Sequence, residues 1–335
     1  MKALRVFKRW EMVLAILLVV EILIFGSINP SFLSLSTLLF STSDFIHIGI
    51  TALALTLVII TGGIDLSVGA VMGLSAIVFG LLWTVGLNIW VACAVALAVG
   101  TAAGVFNSAA IHIAKVNPLV ITLGTLYLFG GAALVLSGLA GATGYEGISG
   151  FDQVFVMLSS QEVLGLPLPL FIFVAATILF MLLLHRTRFG RYVYLIGQNA
   201  RAAKYAGVPV LRTLTIAYAL TGFMAALSGL ILASYFGSAR SDFGSTALMP
   251  AITAVVLGGT NIYGGSGTIL GTALAALLVG FLQSGLQAIG VSSHVSNTIS
   301  GGLLVIVVAL RSLTEIGRVY LLQWRVLRTV GSKAK

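Results

Sequence analysis

The sequence predicts an all-α polytopic membrane protein, and three observations carry that prediction. The chain of 335 residues is 59% hydrophobic and only 8% charged, whereas soluble domains carry roughly 25% charged residues. Apolar runs of about 20 residues, each long enough to cross a bilayer as a helix, recur along nearly the whole length. Basic residues gather at the N-terminus (Lys2, Arg5, Lys8, Arg9), at Lys115, within 186–212 and from Arg311 to Lys335, the pattern of cytoplasmic loop ends. The net charge of +9 is therefore an orientation signal and not a nucleic-acid footprint.

The apolar runs place spans at 12–28, 44–62, 66–85, 89–113, 118–138, 166–185, 213–236, 247–262, 268–289 and 295–311. That makes about ten helices with both termini cytoplasmic. The first run follows basic residues as a signal peptide would, yet it is long, contains Glu21 and lacks a small-x-small cleavage site, so it reads as a retained helix. From an inside N-terminus, Lys115 and 186–212 fall in the cytoplasm. The loop 139–165, with Glu146, Asp152 and Glu162, falls outside, as do Asp44, Arg240 and Asp242. The run 247–262 is short and holds Pro250, which suits a re-entrant or half-membrane segment. No stretch outside the spans is long enough for a soluble domain, so 1–335 reads as a single transmembrane domain. Cys93, alone of its kind, allows no disulfide within the chain.

Residues 186–212, RTRFGRYVYLIGQNARAAKYAGVPVLR, form a cationic island without one acidic residue. Inside it a small helix has readable ends: Asn199 as N-cap, Gly207 as the left-handed residue after the C-terminus, and Pro209 as the stop. A rigid, capped helix offered to the cytoplasm suits a handle for another subunit.

Two segments echo each other: GGIDLSVG at Gly62–Gly69 and GGTNIYGG at Gly258–Gly265. Each joins apolar spans and is followed by a small-xxx-small spacing, Gly69 to Gly73 and Gly267 to Gly271, which lets helices approach closely. The aligned polar residues, Asp65 and Asn261, suit N-caps of the following helix, or alternatively linings or gates of a translocation path. Whether the repeat is parallel or inverted stays open. Gln283 and Gln287 are spaced i, i+4 and share a helix face, either lining a polar channel or joining helices. Asp44, Asp65, Asn261, Gln283 and Gln287 are thus the candidate pathway or gate residues. Glu21 sits within the first span, where a charge costs roughly 2.5–3.5 kcal/mol. Asn107, His112 and His47 read as packing residues.

No lysine follows a glycine, so there is no phosphate-binding loop, and no H-E-x-x-H, G-x-S-x-G or clustered Cys/His site appears. No catalytic residue, metal ligand or cofactor of this chain's own is expected.

GGIDLSVGA at 62–70, KVNPLVITLGTLYLFGG at 115–131, GQNARAAKYAGVPV at 197–210 and MPAITAVVLGGTNIYGGSGTILGT at 249–272 together resemble the permease subunits of ABC importers, in the ribose- and branched-chain-amino-acid-type branch. The resemblance covers about residues 40 to 310. Within that branch, LLFSTSDFI at 38–46, LSGLAGATGYEGI at 136–148 and SYFGSARSD at 234–242 are most similar to autoinducer-2 import permeases. The resemblance implies a multi-pass permease of the bacterial inner membrane, set in lipid and binding no nucleic acid. Its partners would be a homologous second permease, two ATP-binding subunits that hold ATP and Mg, and a periplasmic solute-binding protein. The cargo would be the furanose-like autoinducer-2. The island corresponds to the family's coupling loop, and the contact positions carried onto this chain are Gly197, Asn199, Ala202, Ala203 and Gly207. Maltose-type importers place Glu-Ala-Ala here; this chain has Arg201-Ala202-Ala203. Pentose import by an ABC permease, an ion-coupled secondary transporter and a membrane scaffold are the alternatives. The second requires buried midplane carboxylates, for which only Glu21 qualifies.

Overall fold

The computed structural model describes residues 2–142 and 147–292, with part of 294–309. In chain order its helices are α1 Lys2–Ile28, α2 Leu35–Ile60, α3 Val68–Thr84, α4 Ile89–Ala114, α5 Pro118–Leu139, α6 Gln153–Val156, α7 Leu168–Arg186, α8 Arg188–Gln198, α9 Ala200–Tyr205, α10 Val210–Phe236, α11 Leu248–Leu257 and α12 Ile269–Ala288. Their ends follow local chemistry. Ser34, Asn88, Asn117 and Thr268 accept backbone N–H bonds from the first turns of α2, α4, α5 and α12, satisfying donors that a helix start leaves open. Pro118 opens α5, where its missing N–H costs nothing.

Among the described residues seven helices are long and apolar enough to cross a membrane: Trp10–Ile28 within α1, then α2, α4, α5, α7, α10 and α12. Helices α3 and α11 are shorter apolar helices. The 10 residues of α11 rise about 15 Å, half of a ~30 Å hydrocarbon core, so the expected span 247–262 is a half-length helix. Of the expected span 295–311, the described residues are helical and the rest, with the basic segment to Lys335, lie outside the described residues.

Helix α2 is the axis of the bundle. Its buried face runs almost without interruption from Thr42 to Ile60, and α7, α10, α11 and α12 pack around it. A second layer, α10 with α3 and α4, packs at backbone distance. A Cβ on Gly222 would overlap the carbonyl of Gly100, and one on Gly104 the carbonyl of Tyr218. Where lipid replaces water as the solvent, such close approach, and hydroxyl bonds across helices, hold a bundle together. Thr51 and Ser228 share a 2.9 Å bond between α2 and α10, and Thr56 and Thr272 another of 2.9 Å between α2 and α12. At one end of the bundle, Ile148–Ser149 pairs antiparallel with Ser238–Ala239, and the rings of Phe151 and Phe155 pack, tilted, against Phe79.

Candidate functional site

The island 186–212 contains two helices, one more than the sequence reading expected. Thr187 accepts from the Gly190 N–H and starts α8. That helix buries Gly190, Val193 and Ile196 and turns Arg188, Arg191 and Leu195 outward. The signal was present: Phe189, Tyr192, Val193 and Ile196 keep the i, i+3, i+4, i+7 spacing of an amphipathic helix, but the arginines between them dominate a charge reading. The second helix, α9, ends as expected. Asn199 Oδ1 accepts from the Ala202 N–H at 2.9 Å. Gly207 sits at φ 78°, with its N–H on the Lys204 carbonyl at 3.1 Å and the Val208 N–H on the Ala203 carbonyl at 3.0 Å. This paired closure is a Schellman motif, and Val208 completes it by packing on Ala203. Ala203 is accordingly only 4% exposed; it belongs to the inner face of α9, whose outer face presents Ala202, Lys204 and Tyr205, the last 94% exposed.

Gly197 points inward as well. A Cβ there would overlap the Ile60 carbonyl oxygen and the Gly265 amide nitrogen, which are themselves joined by a 2.8 Å hydrogen bond. Three turns, the end of α2, the end of α8 and the glycine turn between α11 and α12, therefore meet backbone to backbone. Tyr194 fastens the same junction, donating its hydroxyl to the Gly267 carbonyl at 2.7 Å. Burial pushes its phenol up to about 12, so it remains a donor across the physiological range. The two echoing segments are thus neighbours, with Gly62 and Tyr263 in contact range, and α8 is seated on the second of them.

Asp65 and Asn261 do not cap the helices that follow. Asp65 Oδ1 accepts from the Ser67 N–H at 2.9 Å and from Ser67 Oγ at 2.6 Å. Asn261 Oδ1 accepts from the Tyr263 N–H at 3.1 Å. Both close turns on the residue two positions on, as Asp and Asn do when they compete with helix formation. The echo is therefore real at the level of turn geometry, while Ser67 and Thr268 occupy the helix starts. Asp65 is 1% exposed, and Asn107 of α4 reaches across to it, Nδ2 bonding Ser67 Oγ at 2.7 Å. Burial pushes the Asp65 carboxyl above its ordinary value, opposed by the Ser67 and Asn107 bonds. Asn261 is half-buried, and these two positions lie at the junction rather than in a cavity.

The other three candidates meet elsewhere. Asp44, Gln283 and Gln287 line a cavity of about 350 Å³ with His47, Arg240, Asp242 and Thr246. Asp44 is 16 residues from Ile60 along α2, about 24 Å at 1.5 Å per residue, so this cavity occupies the end of the bundle away from the junction. Arg240 and Asp242 form a bidentate pair, Nε to Oδ1 at 2.9 Å and Nη2 to Oδ2 at 2.7 Å. Tyr235 donates its hydroxyl to Asp44. His47 is buried, and its Nδ1 has no hydrogen-bond partner. Arg240, Asp242 and His47 were legible as outer-face or packing residues but not as members of this group, because only tertiary folding brings the segment after α10 against α2 and α12. A larger, mainly apolar cavity of about 710 Å³ adjoins it through Asp242 and Ser245 and is walled by α3 and α5 residues including Ala70, Leu126 and Leu134. Among the described residues no cluster of His, Cys, Asp and Glu could hold a metal ion. Both Glu21 carboxyl oxygens are buried without a hydrogen-bond partner, on α1, which packs against α12.

A family model described as branched-chain amino acid transport system / permease component matches residues 37–308. The chain is 58% identical over 305 residues to the autoinducer 2 import system permease protein LsrD of Yersinia pestis (strain Pestoides F), covering 91% of this chain and 92% of that one. It is 57% identical, with the same coverage, to the LsrD protein of Yersinia pseudotuberculosis serotype O:3 (strain YPIII). No solved structure matches it.

Proposed function

The chain belongs to the branched-chain amino acid transport system permease-component family, and from that premise we propose that it is the transmembrane subunit of an ATP-driven importer carrying autoinducer-2 into the cytoplasm. It is a transport subunit of the bacterial inner membrane. The whole chain, 1–335, acts as one permease domain of about ten helices with cytoplasmic termini, and 186–212 is its coupling loop. A homologous second permease completes the pathway. Two ATP-binding subunits supply ATP and Mg chemistry from the cytoplasmic side, and a periplasmic solute-binding protein delivers cargo. The autoinducer-2 assignment rests on relatives that carry it in their names over nine-tenths of both chains.

The observation that carries the reading is the seat of α8 on the echo turns. Gly197 lies on the Ile60–Gly265 hydrogen bond and Tyr194 holds the Gly267 carbonyl. A partner that grips the exposed Ala202–Tyr205 surface and moves as it binds ATP has a short path to the ends of α2 and α12. Those two helices run from this junction to the polar cavity at the far end, so one displacement reaches both ends of the pathway. Cargo is transported intact, as suits a transport subunit.

The test is uptake of labelled autoinducer-2 into vesicles containing this chain with its candidate partners. Accumulation is expected to require ATP and the solute-binding protein and to resist competition by ribose. Uptake that persists without the ATP-binding subunits and collapses with a protonophore would overturn the reading in favour of an ion-coupled transporter.

A further inference from the structure

The polar cavity is more than a passage. Six side chains from three separate segments converge on it: Asp44 and His47 from α2, Arg240 and Asp242 from the segment after α10, Gln283 and Gln287 from α12. Its volume of about 350 Å³ lies at the lower end of the roughly 300–1,000 Å³ typical of small-molecule sites. The neighbouring larger cavity presents mostly aliphatic and glycine surface and has little with which to hold a hydroxylated molecule.

The groups present are those a polyol needs. Adjacent hydroxyls each donate and accept. Carboxylates at Asp44 and Asp242 accept, the amides of Gln283 and Gln287 do both, and the guanidinium of Arg240 donates. The Arg240–Asp242 fork is fixed by two bonds of 2.9 and 2.7 Å, so that pair is oriented before anything enters. His47, 8% exposed, lines the cavity with its Nδ1 unpartnered, and a buried polar atom left without a partner is costly unless something bonds it. Formal charges decide the sign of the ligand. Two carboxylates against one guanidinium leave the cavity net negative, which repels an anion and tolerates a neutral molecule.

We propose that this cavity is a cargo subsite intrinsic to the permease, shaped for an uncharged polyol with adjacent hydroxyls and closed to its anionic, phosphorylated relatives. Selection then occurs twice, once at the binding protein and again inside the membrane subunit. The proposal rests on the transport reading above, and its experiment separates the two.

The experiment uses the assembled transporter in lipid nanodiscs and in vesicles. Saturation-transfer NMR on the nanodiscs, without binding protein, probes autoinducer-2, ribose and ribose 5-phosphate. Transfer is expected to the two neutral polyols and not to the phosphate. His47→Leu and Gln287→Leu are expected to abolish that transfer and to lower autoinducer-2 uptake per ATP hydrolysed about fivefold or more, the size of one lost polar contact. Gln287 is exposed, so its variant folds even if the His47 change does not, and Leu164→Ala, on an 89% exposed residue, is the unchanged control. Wild-type uptake with both cavity variants transporting normally, or equal transfer to ribose and its phosphate, would overturn the subsite. Polyol transfer lost in the variants, in a wild type that fails to accumulate autoinducer-2, would sustain the subsite and sink the cargo assignment instead.

Discussion

The hydroxyl of Tyr194 donates a 2.7 Å hydrogen bond to the backbone carbonyl of Gly267, tying α8 to the turn that opens α12. Removing the hydroxyl takes this donor from the Gly267 carbonyl. Tyr194→Phe keeps the ring and its packing and is expected to cost about 0.5–1.5 kcal/mol of local stability. Uptake should fall several-fold while the partner subunits continue to hydrolyse ATP. The ratio of transport to hydrolysis in reconstituted vesicles measures this; an unchanged ratio would remove Tyr194 from the coupling path.

Gly197→Ala is expected to be far more damaging than its size suggests. The added methyl would overlap the Ile60 carbonyl and the Gly265 amide, both backbone atoms that cannot rotate away. Overpacking of this kind costs typically about 1–3 kcal/mol. Gly124→Ala, where a Cβ meets nothing within 4 Å, is the matched control. Thermal unfolding of the two variants in detergent should separate them clearly.

Gly207→Val should strain the left-handed closure of α9, at φ 78°, by about 1–3 kcal/mol, leaving membrane insertion intact while uncoupling transport. Ala203→Arg places a charge into the small cluster of Ile196, Ala203 and Val208 and is expected to unseat α9 rather than merely block its outer face. Ala202→Arg, on the exposed side, is the cleaner probe of partner docking. Pull-down of the ATP-binding subunits should be lost in Ala202→Arg with the helix still formed.

Asn107→Leu removes the donor to Ser67 Oγ at 2.7 Å and loosens the buried Asp65 turn, an expected loss of about 1–3 kcal/mol. Asn107→Asp should be worse, since it sets a second carboxylate beside a buried one. The order Asn, Leu, Asp in decreasing detergent thermal stability checks this; an equal ranking of the two variants would mean the charge is immaterial.

A reporter inserted after Tyr205 is expected to read cytoplasmic, and one after Ser160 external. External signal at the first site would contradict the coupling role of α8 and α9 directly.

Local chemistry was legible and long-range assembly was not. The ends of α9 followed from Asn199 and Gly207 because capping depends on a few adjacent residues. Gln283 and Gln287 were recognisable as one face from their spacing alone. The turns at Asp65 and Asn261 escape the same local logic: both residues favour N-caps and two-residue turns, and only the position of the first helical turn decides between them. Helix α8 was hidden by its arginines, which lie on the outward face of a regular apolar stripe. The meeting of Gly197 with Ile60 and Gly265, and of Arg240 and Asp242 with Asp44, has no sequence signature, because each joins segments tens to hundreds of residues apart.

Helix α2 carries Asp44 in the wall of the polar cavity and Ile60 under α8. One element that belongs to two sites gives them a route to couple, and any coupling of their binding free energies is reciprocal. If the proposed ATP-binding subunits and a cavity ligand both bind, whatever engagement of the one does to the affinity of the other, occupancy of the cavity does in equal measure to that engagement. A tenfold weakening in one direction, about 1.4 kcal/mol, is a tenfold weakening in the other. The motor would then sense the presence of cargo through the same rod by which it moves it.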